Sequence, residues 1–303
     1  MKSKLRIVSR SSNLALKQVE IIEKKLKKVY DIEIIKVKTF ADKNIRKPLY
    51  EIGGKVHFVK ELENVLLEKK ADIAIHSLKD METILAENTF ICAVSTRESR
   101  NDVLISDYDC LSSLPKKSVI GTSSPRRTAF LKAFRKDFII KICRGNVETR
   151  IKQLKTGIFD ALVLAEAGLK RLNIKYKNII PLKIIPPAAG QGVIAIQTSN
   201  NYSKQKVKRI AKIINDEVSF CEITAERSLV RYLNGSCQSP ISSNAICSPK
   251  TKRLTLKGSV ANLSGSKIIN DEISGKSDDA EAIGKILAQR LIIKGAKKIL
   301  GKN

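Results

Sequence analysis

Two α/β lobes followed by a smaller α+β domain are predicted by three features of the chain. Strand-like and helix-like runs alternate between residues 5 and 95. The same alternation begins again near Asp102, and after residue 233 it gives way to short strands separated by Gly, Ser, Pro and Asn.

In the first lobe LRIVS is a strand, LALKQVEIIEKKLKKV a helix, IEIIKVKTF a strand, FVKELENVLLEKK a helix and IAIHSL a strand. This order predicts a mostly parallel sheet with helices packed on it. The second lobe reads VLIS, SVIGTS, a helix from Pro125, FIIKICR, a helix from Asn146, and FDALVLA. After PPAAGQG, at residues 186–192, the strand GVIAIQTS and the helix KVKRIAKIIND follow a long return connection, so this segment is expected to cross back to the first lobe. The helix EVSFCEITAERSLVRYL is stopped by Asn234-Gly235. The strands ISSNAICS, RLTLKGSVANL and KIINDEIS and a closing amphipathic helix complete the third domain. The expected boundaries are 1–97 with 193–215 for lobe 1, 98–192 for lobe 2, and 216–303 for the C-terminal domain.

With 303 residues, 43% of them apolar, the chain can build ordinary packed cores. Its longest apolar runs are far too short to cross a bilayer. MKSKLRIVSRSS passes from lysines straight into a strand-like run, without the apolar stretch of a secretory signal, so the cytoplasm is expected. The net charge of +27 would suit a nucleic-acid partner. Lysine and isoleucine, however, are frequent everywhere, as in an AT-rich genome; with no Trp and 5% aromatic residues, stacking platforms are scarce. A basic nucleic-acid-binding protein is therefore the weaker alternative, and no nucleic-acid or membrane partner is expected. Six cysteines without a CxxC pair or a neighbouring histidine suggest neither a disulfide framework nor a metal site. Cys92 and Cys143 sit in apolar runs and read as core residues, whereas Cys237, in LNGSCQSPIS, sits in a turn.

Three strand-to-helix junctions carry cations. In GTSSPRRTAFLKAF, Ser123 or Ser124 suits the N-cap and Pro125 the first helical position, which puts Arg126 and Arg127 in the first turn. There they oppose the helix dipole at roughly 0.3–1 kcal/mol per charge unless an anion is near. In CRGNVETRIKQL, Arg144 ends a strand, Asn146 can cap and Arg150 follows within a turn and a half. In VSRSSNLAL, Arg10 precedes Ser11 and Ser12. Open α/β sheets bind ligands at the carboxyl ends of their strands, so the three junctions predict an anion-binding cleft. Guanidinium forks suit carboxylate or phosphate, and no GxxxxGK[ST] phosphate loop is present.

In ADIAIHSLKDMETI the strand runs out into His76-Ser77-Leu78-Lys79-Asp80. Asp80 is a turn former on local grounds, yet beside cations it could stabilise a positive intermediate. His57 and His76 are the only histidines and read as structural imidazoles.

GGKVHFVKELE, ADIAIHSLKD, GTSSPRR, RGNVETR, DALVLAEAGLKRL, PPAAGQG and GSCQSPI, in this order, resemble the signatures of the hydroxymethylbilane synthase, or porphobilinogen deaminase, family. The resemblance covers nearly the whole chain. It implies two lobes like those of periplasmic binding proteins, with mixed, mostly parallel sheets, flanking a cleft, and a third domain whose cysteine, here Cys237, holds dipyrromethane through a thioether. It implies an enzyme that condenses four porphobilinogen molecules onto that primer with loss of ammonia, then releases the linear tetrapyrrole by hydrolysis.

Asp80 matches the family's catalytic aspartate. Lys79, Asp80, Thr122, Ser123, Ser124, Arg126, Arg127, Arg144 and Gly145 are expected on the cofactor; Arg10, Ser12, Lys55, Ser77, Arg144, Arg150 and Arg171 are expected on the substrate. No metal is implied, and a monomer is usual. The sequence departs from the family pattern at Val56-His57, at Met81-Glu82 after Asp80, at Pro125, and in RESRND. A non-catalytic two-lobed dicarboxylate-binding protein is the other reading; it gives Cys237 and Asp80 no role.

Overall fold

The structure is a computed structural model that describes residues 2–39 and 59–301. β1 (Ser3–Arg10) buries Leu5, Ile7 and Val8 completely. α1 (Asn13–Leu26) starts at Ser12, whose hydroxyl accepts from the Ala15 amide at 3.4 Å. It turns Ala15, Gln18, Val19, Ile22 and Leu26 inward at three- and four-residue spacing. β2 (Tyr30–Val37) then pairs with β1 in parallel, Ser3 opposite Tyr30 through Arg10 opposite Val37. A parallel neighbour demands such a crossover helix. α2 (Lys60–Leu67) buries Leu62 and Leu66, and β3 (Ile73–Ser77) lies parallel to β1 on its other side. β4 (Thr89–Val94), in a stretch for which the sequence reading named no strand, ends this run.

The second run holds β5 (Asp102–Ile105), β6 (Val119–Gly121), α3 (Pro125–Phe134), β7 (Ile139–Lys141), α4 (Val147–Lys155), β8 (Ala161–Ala165), α5 (Glu166–Arg171) and β9 (Asn178–Ile180). β6 is parallel to both β7 and β8, while β5 is antiparallel to β8 and β9. β9, only three residues long, also escaped the sequence reading.

β10 (Ile194–Ser199) is buried along its whole length and lies between β3 and β4, antiparallel to both. The first sheet has the order β2-β1-β3-β10-β4 and the second β7-β6-β8-β5-β9. Each sheet therefore has four strands running one way and a single strand running against them, the mixed, mostly parallel arrangement that was expected. The reversed strand, β10 or β5, is the one that directly follows a passage of the chain from one sheet to the other.

α6 (Lys204–Ile214) buries Ile210 and Ile214, and α7 (Glu217–Tyr232) follows. β11 (Ile241–Ser248), β12 (Arg253–Ala261) and β13 (Ile268–Lys276) form a separate antiparallel sheet, the core of a smaller C-terminal domain. α8 (Ala280–Ile293) lays Ile283, Leu287 and Leu291 into the same apolar cluster as Leu254, Leu256 and Val260, and α9 (Ala296–Ile299) adds Ala296. Full burial of each leucine, isoleucine or valine in that cluster contributes about 1.5–3 kcal/mol.

The chain divides into two compact units, Met1–Arg97 with Val193–Phe220, and Glu98–Gly192 with Cys221–Asn303. Residues of the second sheet and of the C-terminal domain share one unit for identifiable reasons. Ala261 packs in the core of the second sheet. The Ser243 amide donates to the Pro187 carbonyl at 3.1 Å. The fully buried Glu226 accepts from the Gly190 amide at 2.7 Å and the Ala245 amide at 3.0 Å.

Candidate active site

In the second unit the carboxyl ends of β6 and β7 lie side by side, Gly121 opposite Lys141. This register brings Thr122–Arg127 together with Arg144–Arg150. Ser123 joins the two loops by donating its hydroxyl to the Cys143 carbonyl at 2.5 Å. Ser124 is the N-cap of α3 and accepts from the Arg127 amide, while Thr122 accepts from the Ser124 amide at 3.2 Å. A hydroxyl that accepts still has its proton to donate. Pro125, at the start of α3, fits there because that position needs no amide donor.

Arg126 and Arg127 depart from the expectation of guanidiniums presented to an outside anion. They are 4% and 6% exposed, and both bind Asp102, whose side chain is wholly buried. Arg127 forms a fork on it, Nη2 to Oδ1 at 2.6 Å and Nε to Oδ2 at 3.1 Å; Arg126 Nη2 reaches Oδ2 at 2.9 Å. Burial lowers the Arg126 pKa. A first-turn arginine is unfavourable beside the helix dipole, and here an internal carboxylate offsets it. Asp102 was missed by the sequence reading, since a lone aspartate before an apolar strand carries no signal of its partner 24 residues away.

Asn146 caps α4, accepting from the Thr149 amide at 2.8 Å. Gly145 before it has φ +105°, and a Cβ there would stand 2.8 Å from Thr149 Cγ2, so the turn requires glycine. Arg144 is half-buried, and burial lowers its pKa. Arg150 donates Nε to the Gly145 carbonyl at 2.9 Å, which ties it to the same turn. Arg171, in α5, donates to the Gly192 carbonyl at 2.7 Å, and burial pulls its pKa down to about 10. It belongs to the PPAAGQG turn rather than to the Arg144 loop.

In the first unit β1 and β3 are parallel neighbours, so Arg10 and Ser12 lie at the same sheet edge as Ser77, Lys79 and Asp80. Ser77 accepts from the buried Gln18 Nε2 at 2.7 Å. Asp80 ends the 3-10 turn Leu78–Asp80 and is exposed. The turn is pinned from both sides by Leu78, 1% exposed, and Met81, 3% exposed, whose amide donates to the Leu78 carbonyl at 3.1 Å. The unusual Met81 thus anchors the aspartate by burial. His76 is buried as well; burial, against a smaller opposing effect of Gln197 and with a still smaller one from the charge of Arg10, brings its pKa down to about 4, so the imidazole is neutral. Lys55, with Val56 and His57, lies outside the described residues.

Cys237 is exposed in a turn that its own neighbours hold. The Ser236 amide donates to Ser239 Oγ at 3.0 Å and the Ser239 amide returns to the Ser236 carbonyl at 3.0 Å. Gly235 is needed before it, because a Cβ would lie 2.5 Å from Ile241 Cδ1. Burial pushes the thiols of Cys92 and Cys221 up to about 12, well away from reactive thiolate. Exposure alone does not single out Cys237, for Cys110 is exposed too, its thiol lowered by a hydrogen bond with Ser113. Among the described residues no group of His, Cys, Asp or Glu could hold a metal, and no helix is long and apolar enough to cross a membrane.

Mixed α/β sheets with cations at their strand ends, and a separate small domain exposing a thiol, define the class of this protein: two α/β sheets followed by a small α+β domain. The family model described as porphobilinogen deaminase, dipyromethane cofactor binding domain, matches residues 5–207, and that for the porphobilinogen deaminase C-terminal domain matches residues 220–292. The chain belongs to the porphobilinogen deaminase family.

Relatives named porphobilinogen deaminase include one from Buchnera aphidicola subsp. Acyrthosiphon pisum, 41% identical over 98% of this chain and 95% of its own. One from Nitratiruptor sp. is 40% identical over 98% and 96%, and one from Neisseria meningitidis serogroup B is 38% identical over 98% and 96%. Among solved structures, a putative methionine-binding lipoprotein of Bacillus subtilis aligns over 73% of this chain and 94% of its own at 13% identity and TM-score 0.46, a likeness too distant to speak of ligand or activity.

Proposed function

We propose that this chain is a transferase that joins four porphobilinogen molecules head to tail on a dipyrromethane primer, with loss of ammonia, and then releases the linear tetrapyrrole by hydrolysis. The match to the family over 98% of the chain carries this reading. A non-catalytic dicarboxylate-binding protein is not favoured, because the matched domain is a cofactor-binding one.

The residues present fit the group. Cys237 offers an exposed thiol, which a thioether requires, and Asp80 an exposed carboxylate. When bound, dipyrromethane supplies the nucleophilic pyrrole carbon from which the product grows. Asp80 stabilises the cation left on porphobilinogen when ammonia departs and handles the pyrrole protons. Arg144 and Arg150 hold carboxylates of cofactor and substrate, as do Arg10 and Lys79. Gly145 lets the Arg144 loop approach closely, and Ser12, Ser77, Thr122, Ser123 and Ser124 contribute hydroxyl contacts. Lys55 and Arg171 complete the set expected from the family motifs. Arg126 and Arg127 act from beneath as a shared charge rather than as open forks.

We further assign lobe 1 to 1–97 with 193–215, lobe 2 to 98–192 and the C-terminal domain to 216–303, supported by the three separate sheets. The enzyme is a cytoplasmic monomer in this reading, with neither nucleic acid nor metal as partner.

Intact-protein mass spectrometry tests the anchor. The purified chain and its Cys110→Ala variant are expected to carry an adduct of two pyrrole units, and Cys237→Ala none. An adduct that persists in Cys237→Ala, or an active chain without one, would overturn the assignment.

A further inference from the structure

The junction between β6 and α3 keeps its charges inside the fold. Asp102 Oδ2 accepts from Arg126 Nη2 and Arg127 Nε, and Oδ1 accepts from Arg127 Nη2. Gln191 closes the group: its Nε2 donates to Asp102 Oδ1 at 3.0 Å and its Oε1 accepts from Arg126 Nη2 at 3.4 Å. The outer nitrogens are fixed as well, Arg126 Nη1 on the Pro186 carbonyl at 2.5 Å and Arg127 Nη1 on the Val163 carbonyl at 2.8 Å. Two segments remote from Asp102 in the chain, Arg126-Arg127 and Gln191, thus meet on its carboxylate. Two guanidiniums against one carboxylate leave a net charge of +1, shielded from water and lying beneath the Ser124 cap.

We infer that Asp102 is a positioning residue for carboxylate binding: it fixes Arg126 and Arg127 so that their residual positive charge stands under the start of α3, where the acidic arms of cofactor and substrate are held. This rests on the function proposed above and assigns a role to a residue outside the family motifs that carry it. A buried charge acts more strongly than a solvated one, and only if it is held in place. Without Asp102 the two guanidiniums repel each other, and Arg127 loses the fork that orients it.

The inference opposes a simple count of charge. Removing an anion raises the local charge from +1 to +2, so charge alone predicts tighter binding of carboxylates in Asp102→Asn. Positioning predicts weaker binding.

The test compares the purified holoenzyme with Asp102→Asn and Asp102→Glu. Intact mass under denaturing conditions gives the fraction carrying the dipyrrole adduct, and steady-state turnover of that fraction gives KM and kcat for porphobilinogen. In Asp102→Asn the loaded fraction is expected to fall at least fivefold and KM to rise at least tenfold, with kcat changed less than threefold. Asp102→Glu, which keeps the carboxylate, is expected to recover most of both. Full loading with a KM equal to or below that of the unaltered enzyme would overturn the inference.

If Asp102→Asn does not fold, Gln191→Met removes one bond to Asp102, one to Arg126 and those to the Arg100 and Asn101 carbonyls while leaving every charge. Its KM is expected to rise two- to fivefold, and an unchanged KM would overturn the inference equally. A wild-type chain without adduct or turnover defeats the proposed function itself. A working wild type with an indifferent Asp102 defeats only this step.

Discussion

Replacing Asp80 by asparagine removes one negative charge and little else. The side chain is exposed at the end of its turn, which is pinned by the burial of Leu78 and Met81 rather than by the carboxylate. Stability should therefore change by less than about 0.5 kcal/mol, as for surface substitutions away from packing or networks. Catalysis should respond differently. Unit charges about 4 Å apart interact by about 1 kcal/mol in bulk water and about 4 kcal/mol at the effective dielectric near a protein surface. A site closed over substrate lies nearer the second value, so kcat should fall by about 10²–10³-fold. The assay is porphobilinogen consumption by loaded enzyme, with urea unfolding and intact mass alongside to show that fold and adduct survive. A loss of kcat smaller than fivefold, in a folded and loaded variant, would refute the role given to Asp80.

Gly192→Ala should destabilise the second unit. Gly192 has φ +88°, and a Cβ would come within 2.2 Å of the Ser99 carbonyl oxygen. The left-handed backbone and the overlap together should remove about 3 kcal/mol or more, read from the urea midpoint. His76 should make stability depend on pH. Its folded pKa of about 4 lies below the ordinary 6.5, so its contribution is whole above 6.5 and is lost as pH falls from there toward 4. The loss amounts to about 3 kcal/mol. His76→Gln should flatten that part of the pH–stability curve, and a curve parallel to wild type would count against a neutral buried imidazole.

The elements with strong periodicity were legible in the sequence. Ala15, Val19, Ile22 and Leu26 mark one face of α1, and Ser124-Pro125 marks the start of α3. β4 and β9 were not, because the short apolar run around Cys92 marks burial without telling strand from helix and three residues are too few at the second. The local placement of the candidate residues was legible too, since motif and spacing put Asp80, Arg144, Asn146 and Cys237 at strand ends and turns, where the fold has them. Those are local facts of backbone and capping, written in neighbouring residues.

What the tertiary structure alone decided is the state of the charges. By sequence, Arg126 and Arg127 are two cations at a helix start, open to an outside anion. In the fold they are enclosed with Asp102, which enters on a different strand, and with Gln191 from a distant turn. Local spacing determines which residues stand at a junction. Whether a charge meets water, ligand or a buried carboxylate depends on partners remote in the chain, and only packing brings those together.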